Sequence, residues 1–193
     1  MKNLLRAISM LFVLSTGTHA AEKYGFQTVP FGTSYEDVSL YLLEKYGLHS
    51  SLIRQPTLTL PDFDLNGNAM TIIFKFTTDS KFYGLLISTL GRDIEDLDKA
   101  EMDSEFLVAV MKKKYGPKYV CSNKTGKFPR LLFCEWAHPE LYISTSPFIL
   151  RGDSIPTIVT YVASISSQKY AKKEFEHKQR QQEQKEKAAA DRF

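Results

Sequence analysis

The sequence predicts an α+β fold: two tandem helix-plus-antiparallel-meander repeats followed by a C-terminal helical tail. Three observations predict it. Two helical stripes, in PFGTSYEDVSLYLLEKYGL and EMDSEFLVAVMKKKYGPKY, align with one another residue for residue, Ser34 with Asp103, Leu42 with Met111 and Tyr46-Gly47 with Tyr115-Gly116. Each is followed by short runs rich in β-branched and aromatic residues, separated by Pro, Gly, Asn and Asp. From Lys169 onward the chain turns to Gln, Glu, Lys and Ala, which favour helix but supply no apolar face.

Residues 1–20 read as a secretory signal peptide. Lys2 and Arg6 precede an apolar run from Ala7 to Leu14, and the small-residue end Thr18-His19-Ala20 sets cleavage after Ala20. The run is broken by Ser9 and stops at Ser15, short of the roughly 18 apolar residues that a membrane span requires. The expectation is a soluble bacterial protein of the periplasm or the medium, with no membrane span in the mature chain.

The first repeat covers residues 21–91. Ser34 caps its helix, Asp37 stands where a capping box wants an acid, and Gly47 supplies the residue that closes it. Between them Val38, Tyr41, Leu42 and Tyr46 form one face at helical spacing. Strands are expected at Leu52–Leu60, Met70–Phe76 and Phe82–Leu90. An acidic connector, 92–102, leads to the second repeat, 103–168. There Asp103 caps, Leu107, Val110 and Met111 make the stripe, and Tyr115-Gly116-Pro117 ends the helix. Strands are expected at Lys118–Ser122, Leu131–Ala137, Leu141–Ser144 and Thr157–Ile165. The tail, 169–193, reads as a solvated helix fraying into disorder, because no heptad seam is present.

Charge excludes one class of partner. The formal net charge is +3, but Lys2 and Arg6 leave with the signal peptide, and the tail holds eight Lys or Arg against five Asp or Glu. The remaining body is slightly acidic, which opposes a nucleic-acid groove. Cys121 and Cys134 are the only cysteines, and in an exported chain they are expected to form one structural disulfide.

The sharpest chemical signal is DFDLNGN. Asp62, Asp64, Asn66 and Gly67 match the opening of a calcium loop, but its twelfth position is Ile73, which cannot coordinate, and strands rather than helices flank it. A reversal at Asn66-Gly67 accounts for the same residues, so Asp62, Asp64 and Asn66 are only weak metal candidates and no cofactor is expected. His49, His138 and His177 belong to no metal or nucleophile motif, and no nucleophile elbow, phosphate loop or dinucleotide fingerprint occurs. Arg151-Gly152-Asp153 and Asn123-Lys124-Thr125 read as turns. The aromatic residues carry the binding argument: one face of a meander packs on helices and the other meets solvent, which makes Tyr83, Trp136 and Tyr142 candidate partner contacts.

The phrase Phe31-Gly32-Thr33-Ser34 with Glu36-Asp37 and Val38, a helix ending Lys-Tyr-Gly, and the meander after it resemble the helix-plus-meander repeats of small secreted bacterial proteins. The β-lactamase-inhibitory protein and the small lipoprotein of the outer-membrane barrel-assembly machinery share that fold family. The chain departs from the lipoprotein in that its first cysteine is Cys121. The resemblance implies a scaffold that binds an envelope or secreted protein. The functional expectation is a non-catalytic protein-binding or cell-envelope accessory protein. The alternatives are a small-molecule or calcium-binding periplasmic module, or a minor hydrolase.

Overall fold

The computed structural model describes residues 24–47, 57–123, 131–151 and 157–190. The signal-peptide segment, His49 and the start of the strand expected from Leu52 lie outside them.

A two-residue hairpin opens the described chain, β1 (Gly25–Phe26) pairing with β2 (Val29–Pro30). Helix α1 (Tyr35–Tyr46) follows as its caps dictate: Ser34 Oγ accepts from the Asp37 N–H, and Gly47 ends the helix at φ 68°, ψ 19°, its N–H donating to the Leu43 carbonyl. A meander comes next, β3 (Thr57–Leu65), β4 (Asn68–Phe76) and β5 (Phe82–Ser88). The connector then forms β6 (Arg92–Asp93) and a 3-10 turn before α2 (Leu97–Tyr115). A second meander, β7 (Tyr119–Ser122), β8 (Phe133–Trp136), β9 (Leu141–Leu150) and β10 (Ile158–Ser167), runs directly into α3 (Gln168–Ala190).

The two meanders are one sheet. Its order is β3-β4-β5-β10-β9-β8-β7, all antiparallel, with β6 beside β10. Along β10 burial alternates strictly: Val159, Tyr161, Ala163 and Ile165 are buried, and the residues between them are half-exposed. Both α1 and α2 cover that buried side. Val38 and Leu42 of α1, and Ala100, Leu107 and Met111 of α2, join a single core with Phe74, Phe82, Leu85 and Val159. Each fully buried large apolar side chain contributes about 1.5–3 kcal/mol.

Several boundaries differ from those expected. Helix α2 begins at Leu97, not after Asp103: Ala100 and Ser104 extend the buried stripe of Leu107 and Met111 backwards, and no Pro or Gly interrupts it. Asp103 is therefore mid-helix, where its carboxylate holds Arg92 Nε at 3.1 Å and ties the connector to the helix. Strand β3 passes through the expected loop by a bulge at Pro61 and Asp62, which an edge strand accommodates because the missing proline N–H faces no partner. Strand β9 continues past Ser144 to Leu150. Pro147 is tolerated there because β8 pairs only as far as Thr145, leaving that flank of β9 open. The tail does not fray within the described residues, being helical to Ala190.

Cys121 and Cys134 are directly opposite one another in the β7–β8 pair and form the expected disulfide. The bond closes a 13-residue separation at the sheet edge. Reducing it should lower the unfolding free energy by about 3 kcal/mol by releasing loop-closure entropy to the unfolded chain. Urea denaturation with and without reductant measures this, with the far-ultraviolet circular dichroism at zero urea expected to stay unchanged.

Candidate functional site

Register assigns the second face of the sheet residue by residue, since side chains of paired residues lie on one side. Opposite the core lie Thr71, Ile73 and Lys75 of β4, Leu86 of β5, Val162 and Ser164 of β10, and the even-numbered residues of β9 from Tyr142 to Leu150. No residue of this face belongs to the core or to the half-buried apolar set packed on it. Phe148, 55% exposed, pairs with Thr160; Leu150 pairs with Ile158; and Val120 on β7 is 76% exposed. Asp64, Lys75 and Glu135 are the only charges that the strands of the two meanders place on it. The surface is broad, weakly charged, and built mainly from hydroxyl and apolar side chains. Burial pushes Lys75 down from its ordinary value.

The three aromatic residues singled out by the sequence go to three different places. Tyr142, 57% exposed, stands on the open face. Trp136 does not: it is 5% exposed and on the core side, paired with Ile143, stacked on Tyr119 at 4.9 Å, its indole N–H donating to the Gly116 carbonyl at 3.1 Å. The alternation of β8 decides this, because Cys134 and Trp136 must share the side of the disulfide while Phe133 and Glu135 take the other. Tyr83 is half-buried at the junction with α3, near Lys178 and Glu174, and burial pushes its phenol up. Phe148, Leu150 and Val120 are further exposed residues of the open face that no sequence motif marks. Their signal is the alternation of β9 and β7, legible once β9 is extended through Pro147.

The acidic turn is a hairpin. Leu65 and Asn68 are the last pair, and Asn66 and Gly67 between them take φ 55° and 83°, the left-handed values of a tight two-residue reversal. Asp64 Oδ1 accepts from the Gly67 N–H at 2.6 Å, and Asp62 sits in the bulge at φ 51°. Asp62, Asp64 and Asn66 thus have local backbone roles. Among the described residues no group of three or more His, Cys, Asp or Glu side chains is placed to hold a metal ion. His138 Nδ1 accepts from the Glu140 and Leu141 N–H groups, both at 3.1 Å, so its role is to shape the β8–β9 turn.

Helix α3 crosses one end of the sheet. At its start the Gln168 side-chain amide donates to the His138 and Leu141 carbonyls, and two residues on, Tyr170 packs its phenol against Gly32, where φ is 97° and a Cβ would come within 2.3 Å of the hydroxyl. Further along, Glu174 is buried against the β4–β5 turn. Its carboxylate accepts from the Thr78 N–H at 2.7 Å and the Thr78 hydroxyl at 3.0 Å, and pairs with Lys178 at 3.2 Å. Burial pushes this carboxyl up, but the three donors outweigh it and hold it below the ordinary glutamate range. An open cleft of about 600 Å³ lies beside the contact, lined by Thr77, Asp79, Lys173, Glu176, His177 and Arg180 among others, with charges of both signs. From Lys178 to Ala190 the helix is wholly exposed. The described residues contain no helix long and apolar enough to cross a membrane.

No protein-family model, curated protein or solved structure matches this chain.

Glu174→Ala should release α3 from the body at a cost of about 2 kcal/mol, the range for hydrogen bonds to a charged group. The Thr78 amide would lose its protection in hydrogen exchange while core amides of β10 keep theirs. Because the folded pKa lies below the unfolded one, this contribution is fully present above the ordinary glutamate value of 4.5 and is lost as pH falls through the folded value. Exchange at Thr78 followed from pH 7 downward should stay slow to about pH 4.5 after correction for intrinsic rates, and accelerate below it.

Proposed function

We propose that this protein is an exported, non-catalytic binding or cell-envelope accessory protein that holds a protein partner on the open face of its sheet. One observation supports the reading most directly: among the described residues the helices α1 and α2 cover the same side, leaving on the other a contiguous apolar and hydroxyl surface with Tyr142, Phe148 and Leu150 in one strand. Large exposed apolar surfaces on a folded chain mark interaction sites, and aromatic anchors dominate their energetics. The partner surface that fits is itself flat and weakly charged, since Asp64, Lys75 and Glu135 offer little electrostatic selectivity. The signal-peptide pattern at residues 1–20 and the Cys121–Cys134 disulfide support an oxidising compartment, the periplasm or the medium. The resemblance to the secreted helix-plus-meander proteins points the same way, toward protein recognition by a scaffold.

The test is site-specific crosslinking in envelope extract. A photoreactive residue at Tyr142 is expected to crosslink one defined protein, whereas the same residue at Leu40, on the outer side of α1, is not. Tyr142→Glu with Phe148→Glu should weaken capture of that protein at least tenfold, the scale of losing two interface anchors. Capture that is indifferent to the double substitution, or crosslinks equal at both positions, would sink the proposal.

A further inference from the structure

The turn between β1 and β2 carries an arrangement that packing alone does not require. Gln27 is exposed and held at φ 52°, a left-handed backbone that glutamine rarely adopts. Its side-chain oxygen Oε1 accepts from the Tyr41 hydroxyl at 2.6 Å and the Tyr46 hydroxyl at 3.0 Å, and also from Lys45 Nζ. Lys45 Nζ in turn donates to the Tyr41 hydroxyl at 2.9 Å. Three donors, one of them cationic, therefore converge on a single neutral amide oxygen.

We propose that Tyr41, Lys45 and Tyr46 form a binding site for a carboxylate, which the Gln27 amide occupies as a placeholder in the free protein. An amide oxygen has two lone pairs and no charge, so three donors are more than it can satisfy well. A carboxylate oxygen in the same position makes charge-assisted hydrogen bonds with all of them. The single ammonium matches the single charge of a carboxylate and would leave a phosphate dianion under-compensated. The donors are preorganised without Gln27. Residues 41 and 45 are one helical turn apart on α1, and the Tyr46 ring is held edge-on to Tyr41 and to Phe63 at 6.5 and 6.2 Å between centroids. Lys45 Nζ lies over both tyrosine rings at 5.3 and 5.7 Å. The hydrogen bond to Tyr41 pushes Lys45 up, and burial pushes the Tyr46 phenol up, so both remain donors across the neutral range. The movable part of the placeholder is its side chain: Gln27 and Thr28 are exposed at the hairpin tip, while Phe26 and Val29 on either side of them are buried in the core. This site lies on the helix side of the sheet and stands apart from the partner reading of the open face.

The experiment titrates the full chain with sodium acetate, against sodium chloride at equal ionic strength, and follows the Tyr41 and Tyr46 ring and Lys45 side-chain resonances. A saturable shift with acetate and none with chloride is expected. Gln27→Gly, which suits the left-handed backbone and removes the competitor, should tighten acetate binding about fivefold. Lys45→Met should abolish it. Gln27→Glu supplies the carboxylate from within the chain, so it should raise the melting temperature and eliminate the acetate response. Two short peptides then separate the sources of the group: one with a glutamate side chain and an amidated terminus, one with glutamine and a free terminal carboxylate. Equal shifts with acetate and chloride, an acetate midpoint unchanged by Gln27→Gly, or a lower melting temperature for Gln27→Glu would each overturn the proposal.

Discussion

The pairing of β5 with β10 is the constraint on which the rest of the structure depends. Five residue pairs, from Val162 with Ser88 to Ser166 with Gly84, join strands more than seventy positions apart and turn two meanders into one sheet. Because side chains alternate, this register also fixes sidedness: Ile165 opposite Leu85 and Ala163 opposite Ile87 put the inner faces of both halves in one plane. A slip of one residue would send Val159, Tyr161 and Ala163 outward and dismantle the core under both helices. Such long-range closure is entropically slow to form, so formation of the central pair is the natural bottleneck in folding.

With sidedness fixed, the exposed surfaces separate. The helices lie on one side, and α1 turns its polar edge with Tyr41 and Lys45 to solvent. Among the described residues no helix lies on the opposite side. Helix α3 takes neither side, running across the strand ends under the control of Gln168, Tyr170 and Glu174. The body thus offers a flat surface, a pointed polar cluster and a projecting charged helix in three different directions.

What was legible in the sequence was local. The α+β class, the limits of α1 and the cysteine pair follow from caps, periodicity and count. The start of α2 was not legible, because Asp103 looks like a cap and only its ion pair with Arg92 reveals a mid-helix position. Trp136 was placed on the wrong side for a contact residue, since alternation says which residues share a face and not which face is inward. The extension of β9 was hidden by Pro147, whose tolerance depends on where a neighbouring strand ends. Glu174 and Gln27 carried no signal at all: each acquires its role from residues distant in the chain, Thr78 in one case and Tyr41 to Tyr46 in the other.

The two sheet edges bear on how such a molecule survives at high concentration. A long sheet with one apolar face invites other copies to add strands and stack. Here β3 is bent by the bulge at Pro61 and Asp62 and carries Asp64 beside it, while β7 is only four residues long and stapled to β8. Neither edge is a straight template for a further strand. The chain can therefore expose one apolar sheet face and still resist polymerising into fibrils.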